Sequence, residues 1–127
     1  MKRILVFLIS YFCIINVYAN SNWVYVGTNE IGDTYFIDTN SIQKSGDSHT
    51  YWVKSNYGTR TPEGNLSSKV QRTINCRTRE MIGRHFIFYD DTNNNGMVTS
   101  NSSATNRNWA PIAPDTVTWG FYSFLCK

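Results

Sequence analysis

The chain has 127 residues, and its 12 Lys and Arg against 9 Asp and Glu give a net charge of +3. This length predicts one domain and argues against a multidomain chain. Two of the cations, Lys2 and Arg3, lie in the N-terminal segment discussed next. Without them the net charge is near +1 (10 against 9), which gives no support for a nucleic-acid partner.

The N-terminal segment has the three parts of a secretory signal peptide. Lys2 and Arg3 supply positive charge, residues 4–15 are mostly apolar, and Val17-Tyr18-Ala19 places small residues before a cleavage point. We therefore predict a signal peptide over residues 1–19 and an exported domain over residues 20–127. The apolar run is shorter than the ~20 residues of a membrane span, so no transmembrane segment is expected after cleavage.

Two other interpretations of this segment stay open. A buried N-terminal helix or an uncleaved anchor would also be apolar, although the polar Asn20-Ser21-Asn22 favours cleavage. Cys13 follows Phe12, whereas a lipid-modified cysteine normally follows a small residue. We therefore interpret Cys13 as part of the signal.

Beyond the signal, alternation of apolar and polar residues predicts a mainly β domain. In the segment 67–76, Val70, Ile74 and Cys76 share one parity, with Arg72 as an exception. The segment 81–89 is apolar on both parities, which is typical of a central strand. We predict six strands, over residues 23–26, 34–38, 49–57, 67–76, 81–89 and 97–100.

The segments between the strands are rich in Gly, Asn, Asp and Ser, which are turn residues. An exposed loop is predicted at 58–65 and a polar, mobile segment at 101–108. The apolar segment 109–114 contains two prolines and is expected to lie against the domain.

The C-terminal segment has two interpretations. Val117, Phe121 and Leu125 recur at helical spacing, and Asp115 is placed to cap a helix. Residues 118–121 favour a strand on propensity alone. We predict the helix.

Aromatic residues are abundant, with 4 Trp, 8 Tyr and 7 Phe in the chain. Large aromatic side chains bury the most area per residue, so a domain of this size is able to build a core from them. We predict Trp52 and Phe86 as core residues, where truncation to Ala would cost about 3–5 kcal/mol.

Cys76 and Cys126 are the cysteines of the predicted domain. In an oxidising compartment the simplest outcome is that they pair. A bond between them would close the loop from residue 76 to residue 126 and stabilise the fold by on the order of 4 kcal/mol, because it lowers the chain entropy of the unfolded state. A catalytic thiol or a pair of metal ligands is the alternative, and either needs a His or acidic partner that the sequence does not place nearby.

Five cations fall on two consecutive predicted strands and the turn between them, and they form the candidate site for an anionic ligand. Guanidinium groups match sulfate and phosphate well, which suggests sulfated glycans, acidic proteins or anionic lipids. The alternative is the solvated face of a sheet, partly neutralised by nearby acids. The candidate residues are Lys69, Arg72, Arg77, Arg79 and Arg84.

Other chemistry-bearing motifs are incomplete. Residues 91–96 fit the first half of a calcium loop, but Ser102 stands where a bidentate Glu is required, so a hairpin turn is predicted instead. His49 and His85 lack the spacing of a metal or haem site. Hydrolase motifs are missing from the sequence. We therefore predict no enzyme, no catalytic residue, no metal and no cofactor.

An ordered set of short motifs runs through residues 23–126. In chain order they are Tyr35-Phe36-Ile37-Asp38-Thr39-Asn40-Ser41-Ile42, Gly46, Tyr51-Trp52-Val53-Lys54, Ile74-Asn75-Cys76-Arg77-Thr78-Arg79, Tyr89-Asp90 before Gly96, Trp109 with Ile112-Ala113-Pro114, and Cys126. Together they resemble the surface-adhesin protein E family of Gram-negative bacteria. The resemblance implies an α+β, mainly β fold, with a single antiparallel sheet of about six strands and a C-terminal helix, closed by a Cys76–Cys126 disulfide.

The same resemblance implies a location in the cell envelope or at the surface. With the export signal, it predicts a non-enzymatic, adhesin-like protein that holds an extracellular-matrix protein or glycan at the bacterial surface. The alternative is a periplasmic structural or accessory protein of the envelope. The expected address is thus the periplasm, the outer-membrane surface or the extracellular medium, and an exposed edge strand would permit a homodimer.

Overall fold

The computed structural model describes residues 20–104 and 108–127, so the predicted signal peptide and the middle of the segment 101–108 lie outside the described residues. Within these residues there are eight strands, one α-helix and two short 3-10 helices, at Thr39–Ser41 and Thr92–Asn94. The strands and the α-helix are β1 (Trp23–Thr28), β2 (Thr34–Asp38), β3 (Gln43–Ser45), β4 (Ser48–Asn56), β5 (Ser67–Asn75), β6 (Glu80–Tyr89), β7 (Val98–Ser103), β8 (Ala110–Pro111) and α1 (Val117–Leu125).

The strands form one antiparallel sheet in the order β1-β2-β4-β5-β6-β7. The two short strands lie beside it, because β3 pairs with the first residues of β4 and β8 pairs with the start of β6. The six predicted strands are confirmed, and β3 and β8 are the two that the sequence pattern missed. The strands β1 and β7 are the two ends of the described sheet order, so each has one side available for pairing. A homodimer formed through such an edge stays a prediction.

The strand β7 extends beyond its predicted end. The prediction stopped at Ser100 and assigned a mobile segment from Asn101, but the strand continues to Ser103 and pairs with β6, for example Phe86 with Ser102. Ser and Asn have low β propensity, and pairing with a long neighbouring strand outweighs it here.

The predicted C-terminal helix is confirmed, but its cap is one residue later than expected. The Thr116 hydroxyl accepts a hydrogen bond from the Trp119 amide at 3.2 Å, which makes Thr116 the N-cap. Asp115 has a left-handed backbone conformation, with φ at +62°, and leads the chain into that cap.

The core lies between α1 and one face of the sheet. Residues Ile37, Tyr51, Val53, Ile74 and Phe121 are each 0% exposed. The Phe121 ring stacks on the Tyr51 ring with centroids 5.6 Å apart. A side chain from each of β2, β4 and β5 therefore packs under the helix, which fixes that face of the sheet as the inner one.

The prediction of Trp52 and Phe86 as core residues is wrong, since both are half-buried. Trp52 lies between Tyr51 and Val53 on β4, and successive strand side chains point to opposite faces, so Trp52 faces away from α1. Phe86 is on the helix side, opposite Val70, but outside the core cluster.

The disulfide between Cys76 and Cys126 is confirmed, with Cα atoms 5.5 Å apart. We expect Cys76→Ser and Cys126→Ser to lower the melting temperature by similar amounts, because each removes the same 50-residue loop closure, worth about 4 kcal/mol. The double variant should add little more. Thermal unfolding followed by circular dichroism measures this, and additive losses would show that the two sulfurs act independently.

Replacement of Phe121 by Ala should destabilise the domain by about 3–5 kcal/mol, because the ring is fully buried against Tyr51. Phe124 on the same helix is 40% exposed and gives a matched control, so Phe124→Ala should cost much less. Urea denaturation of the two variants measures the difference. Equal losses would contradict the assigned inner face.

Candidate ligand-binding face

The sheet face opposite α1 carries a cluster of aromatic and basic side chains, which we call the aromatic–lysine face. Two cross-strand rows build it. In the first row each residue pairs with the next, and the row runs Tyr25, Phe36, Lys54, Lys69, Ile87 and Asn101. The second row runs Trp52, Gln71, His85 and Ser103. Trp23 lies beside the first row, two residues before Tyr25 on the same face of β1.

The two lysines of this face lie against aromatic rings. The Lys54 ammonium is 4.9 Å from the centre of the Phe36 ring and 5.1 Å from that of Trp23. The Lys69 ammonium is 5.0 Å from the centre of the Trp52 ring. Contacts of this kind hold a cation by the electrostatic attraction of the ring face. The face therefore carries two positive charges, those of Lys54 and Lys69, among aromatic side chains.

Lys54 and Lys69 are direct cross-strand partners, which places like charges opposite each other. Such pairs are destabilising unless other charges compensate them. In the described part of the chain the one salt bridge joins Arg77 to Asp47, so neither lysine has a carboxylate partner. Burial also lowers the pKa of Lys54, since it penalises the charged ammonium. A bound anion would offset both the repulsion between the two lysines and the cost of burying the Lys54 ammonium.

His85 completes the face at the β6–β7 end. Its ring meets Trp52 edge-on at 5.9 Å between centroids, and its Nδ1 is 3.0 Å from the Ser103 hydroxyl oxygen. Asn101 contacts the other ring nitrogen. These contacts fix the imidazole orientation and add polar groups beside the aromatic rings.

The five predicted anion-binding cations do not form one patch. Lys69 lies on the aromatic–lysine face. Arg84 donates a hydrogen bond at 3.1 Å to the hydroxyl of Thr73, which has the parity of Lys69 on β5, and its guanidinium lies 5.9 Å from the centre of the Trp109 ring. Arg77 and Arg79 lie in the β5–β6 turn, where Arg77 pairs with Asp47 at 3.2 Å. The structure thus distributes the five cations among the two faces of the sheet and the β5–β6 turn. Their role in binding an anionic ligand stays a prediction.

Arg72 occupies the third place, on the helix side, with its guanidinium 5.8 Å from the centre of the Phe121 ring. This position explains its exceptional parity in the sequence. It lines a groove of about 680 Å³ between β1 and the start of α1. Glu30 and Asp115 line the same groove, so its charge is mixed rather than basic.

Sequence reasoning missed Lys54 and the aromatic partners of the two lysines. The available signal was the period of two along β4, because Lys54 shares its parity with the aromatic Trp52 and not with Val53. The pairing of Lys54 with Lys69 depends on strand register, which the sequence alone does not supply.

The two histidines point to opposite faces of the sheet, so they do not share a site. His49 pairs with the buried Ile74, on the helix side, whereas His85 pairs with Gln71 on the aromatic–lysine face. The His49 Nδ1 lies 3.3 Å from the Cys76 sulfur. Burial, and then the charge of Lys44, lower the pKa of His49. Cys76 therefore has a histidine neighbour, His49, which the sequence alone did not reveal.

The segment 91–96 forms a tight turn, with Thr92–Asn94 in a 3-10 helix and positive φ at Asn93, Asn94 and Gly96. The Asp91 carboxylate accepts a hydrogen bond from the Thr92 amide at 2.7 Å, and the Asp90 carboxylate accepts one from Met97 at 2.8 Å. These oxygens support the turn itself, as the hairpin interpretation predicts.

In the described residues, no helix is long and apolar enough to cross a membrane.

Comparison with known proteins identifies relatives of this fold. A structure of Haemophilus influenzae protein E matches with 18% identity and a TM-score of 0.59, over 84% of this chain and 85% of that one. A second crystal form of that protein gives a TM-score of 0.60 at 18% identity, over 84% and 88% of the two chains. Protein E from non-typeable Haemophilus influenzae gives 0.55 at 16% identity, over 84% and 76%.

Similarity at this level of identity shows a shared fold. No curated protein sequence matches the chain. The family model for surface-adhesin protein E matches residues 23–127, which is nearly all of the predicted exported domain. The chain therefore belongs to the surface-adhesin protein E family.

Proposed function

We propose that the protein is a non-enzymatic binding protein of the bacterial surface, and that its aromatic–lysine face holds an acidic glycan of the extracellular matrix. The observation that carries the proposal is the Lys54–Lys69 pair, two adjacent ammonium groups without carboxylate partners and flanked by tryptophan rings. Membership of a surface-adhesin family supports binding at the surface as the general role.

The chemistry of an acidic polysaccharide suits this face. Its sulfate or carboxylate groups would pair with the two ammonium groups, and charge-assisted hydrogen bonds of this kind are stronger than neutral ones. The C–H faces of its sugar rings would pack on Trp23 and Trp52, whose rings provide flat apolar surface with a polar edge. A rigid sheet holds both sets of groups at fixed spacing, which favours an extended polymer over a small ion.

Heparin is a suitable probe for this proposal. We expect the double variant Lys54→Gln/Lys69→Gln to bind immobilised heparin about tenfold more weakly, since two charge contacts at partly exposed lysines are lost. Binding of the unaltered protein should also weaken as salt rises, because exposed charges are screened. Surface plasmon resonance with protein produced from the full sequence measures both effects.

A matched control is Lys44→Gln, because Lys44 is an exposed lysine on β3, away from the two tryptophans. It should leave heparin binding unchanged. If the control and the double variant bind equally well, the aromatic–lysine face is not the binding face. If the unaltered protein shows no saturable binding to heparin or other acidic glycans, the glycan proposal fails.

The alternative is a structural or accessory protein in the periplasm, favoured by the lack of a small residue before Cys13 in the predicted signal. Treatment of intact cells with an external protease separates the two locations. Degradation in intact cells supports display at the surface. Protection until the outer membrane is opened supports the periplasmic role.

A further inference from the structure

The disulfide has a third potential metal ligand beside it. His49 lies on β4, Cys76 follows β5 directly, and Cys126 follows α1. A ring nitrogen of His49 and the two sulfur atoms all lie within 4.8 Å of one another. The three residues are half-buried at the end of the helix-covered face, beside a cavity of about 290 Å³.

The backbone holds two of these three ligands independently of the sulfur–sulfur bond. His49 is fixed by the β4–β5 register, in which it pairs with Ile74. The Cys76 amide donates a hydrogen bond to the Asp47 carbonyl at 2.8 Å, which fixes Cys76 against the β3–β4 turn. Opening the disulfide would therefore leave His49 and Cys76 side by side.

The spacing between the His49 Nδ1 and the Cys76 sulfur is close to that of a tetrahedral zinc site. With Zn–S near 2.3 Å and Zn–N near 2.0–2.1 Å, a nitrogen and a sulfur ligand lie about 3.5 Å apart. The His49 Nδ1 and the Cys76 sulfur are already 3.3 Å apart. The two sulfurs would have to separate to about 3.8 Å. Cys126 is the C-cap residue of α1, and its amide donates a hydrogen bond to the Tyr122 carbonyl at 2.8 Å. Rotation of the Cys126 side chain about its Cα–Cβ bond would supply the separation.

We propose that reduction of the Cys76–Cys126 disulfide creates a zinc site formed by both thiolates and the His49 Nδ1. The metal then holds the C-terminal segment against β5 in place of the sulfur–sulfur bond. Two cysteines and one histidine leave the fourth position to water, as in zinc sites with three protein ligands.

The chemical step is balanced with a dithiol as the reductant. The dithiol gives two electrons and two protons to the disulfide and becomes a disulfide itself, which leaves Cys76 and Cys126 as thiols. On coordination of Zn²⁺ the two thiols release their protons and bind as thiolates. His49 coordinates through the Nδ1 lone pair, so the ring proton resides on Nε2.

Cobalt binding tests this proposal, because Co²⁺ in a tetrahedral thiolate site has visible d–d bands and a near-ultraviolet charge-transfer band. Protein produced from the full sequence is reduced anaerobically and titrated with Co²⁺, then with Zn²⁺. We expect one equivalent of Co²⁺ to produce these bands and Zn²⁺ to abolish them. The oxidised protein should produce none, since its sulfurs are bonded to each other.

His49→Ala should weaken Co²⁺ binding at least about tenfold, because even the loss of an outer-shell partner commonly costs that much. His85→Ala is the matched control and should leave the bands and affinity unchanged, since His85 lies on the opposite face. Equal binding by both variants would show that the metal is held by the thiols alone and would overturn the site.

Folding of the reduced protein is measured in parallel by circular dichroism. Zn²⁺ should raise the melting temperature of the reduced protein, because a ligand that binds the folded state stabilises it. It should not do so for reduced His49→Ala. If the reduced protein is unfolded and Zn²⁺ fails to restore its structure, or if it is folded and gives no thiolate bands, the proposal is wrong.

Discussion

The strict alternation of side chains along β4 determines the organisation of this domain. Tyr51 and Val53 point towards α1 and are fully buried, while Trp52 and Lys54 point to the other face. Because a strand has a period of two, the burial of one pair commits the other pair to the opposite surface. The core and the aromatic–lysine face are therefore two consequences of one register, and a shift by one residue would exchange them.

Much of the fold follows from local sequence signals. The period of the 67–76 segment and the Gly- and Asn-rich turns locate the six main strands, and the spacing of Val117, Phe121 and Leu125 identifies the helix. The sequence predicts the helix cap one residue early, since Asp115 and Thr116 are both good capping residues and only the backbone geometry distinguishes them.

The positions of the functional groups were harder to predict because they depend on contacts between distant strands. The size of Trp52 predicts a core position, although its neighbours Tyr51 and Val53 on β4 occupy the inner face. His49 and Cys76 are 27 residues apart in sequence, and only the β4–β5 register brings them together. The five predicted cations divide among three places for the same reason, since strand pairing and the β5–β6 turn separate residues that are close in sequence.

The bridge from Cys126 to the end of β5 also determines how the domain would bear tension. A pull on the last residues would pass through the sulfur bond directly to Cys76, at the junction of β5 and the following turn. The nine residues of α1 would lie outside that load path and would stay packed on the sheet. Under the proposed adhesive role, force would then reach β5, which is hydrogen-bonded to β4 and β6, before it reached the helix.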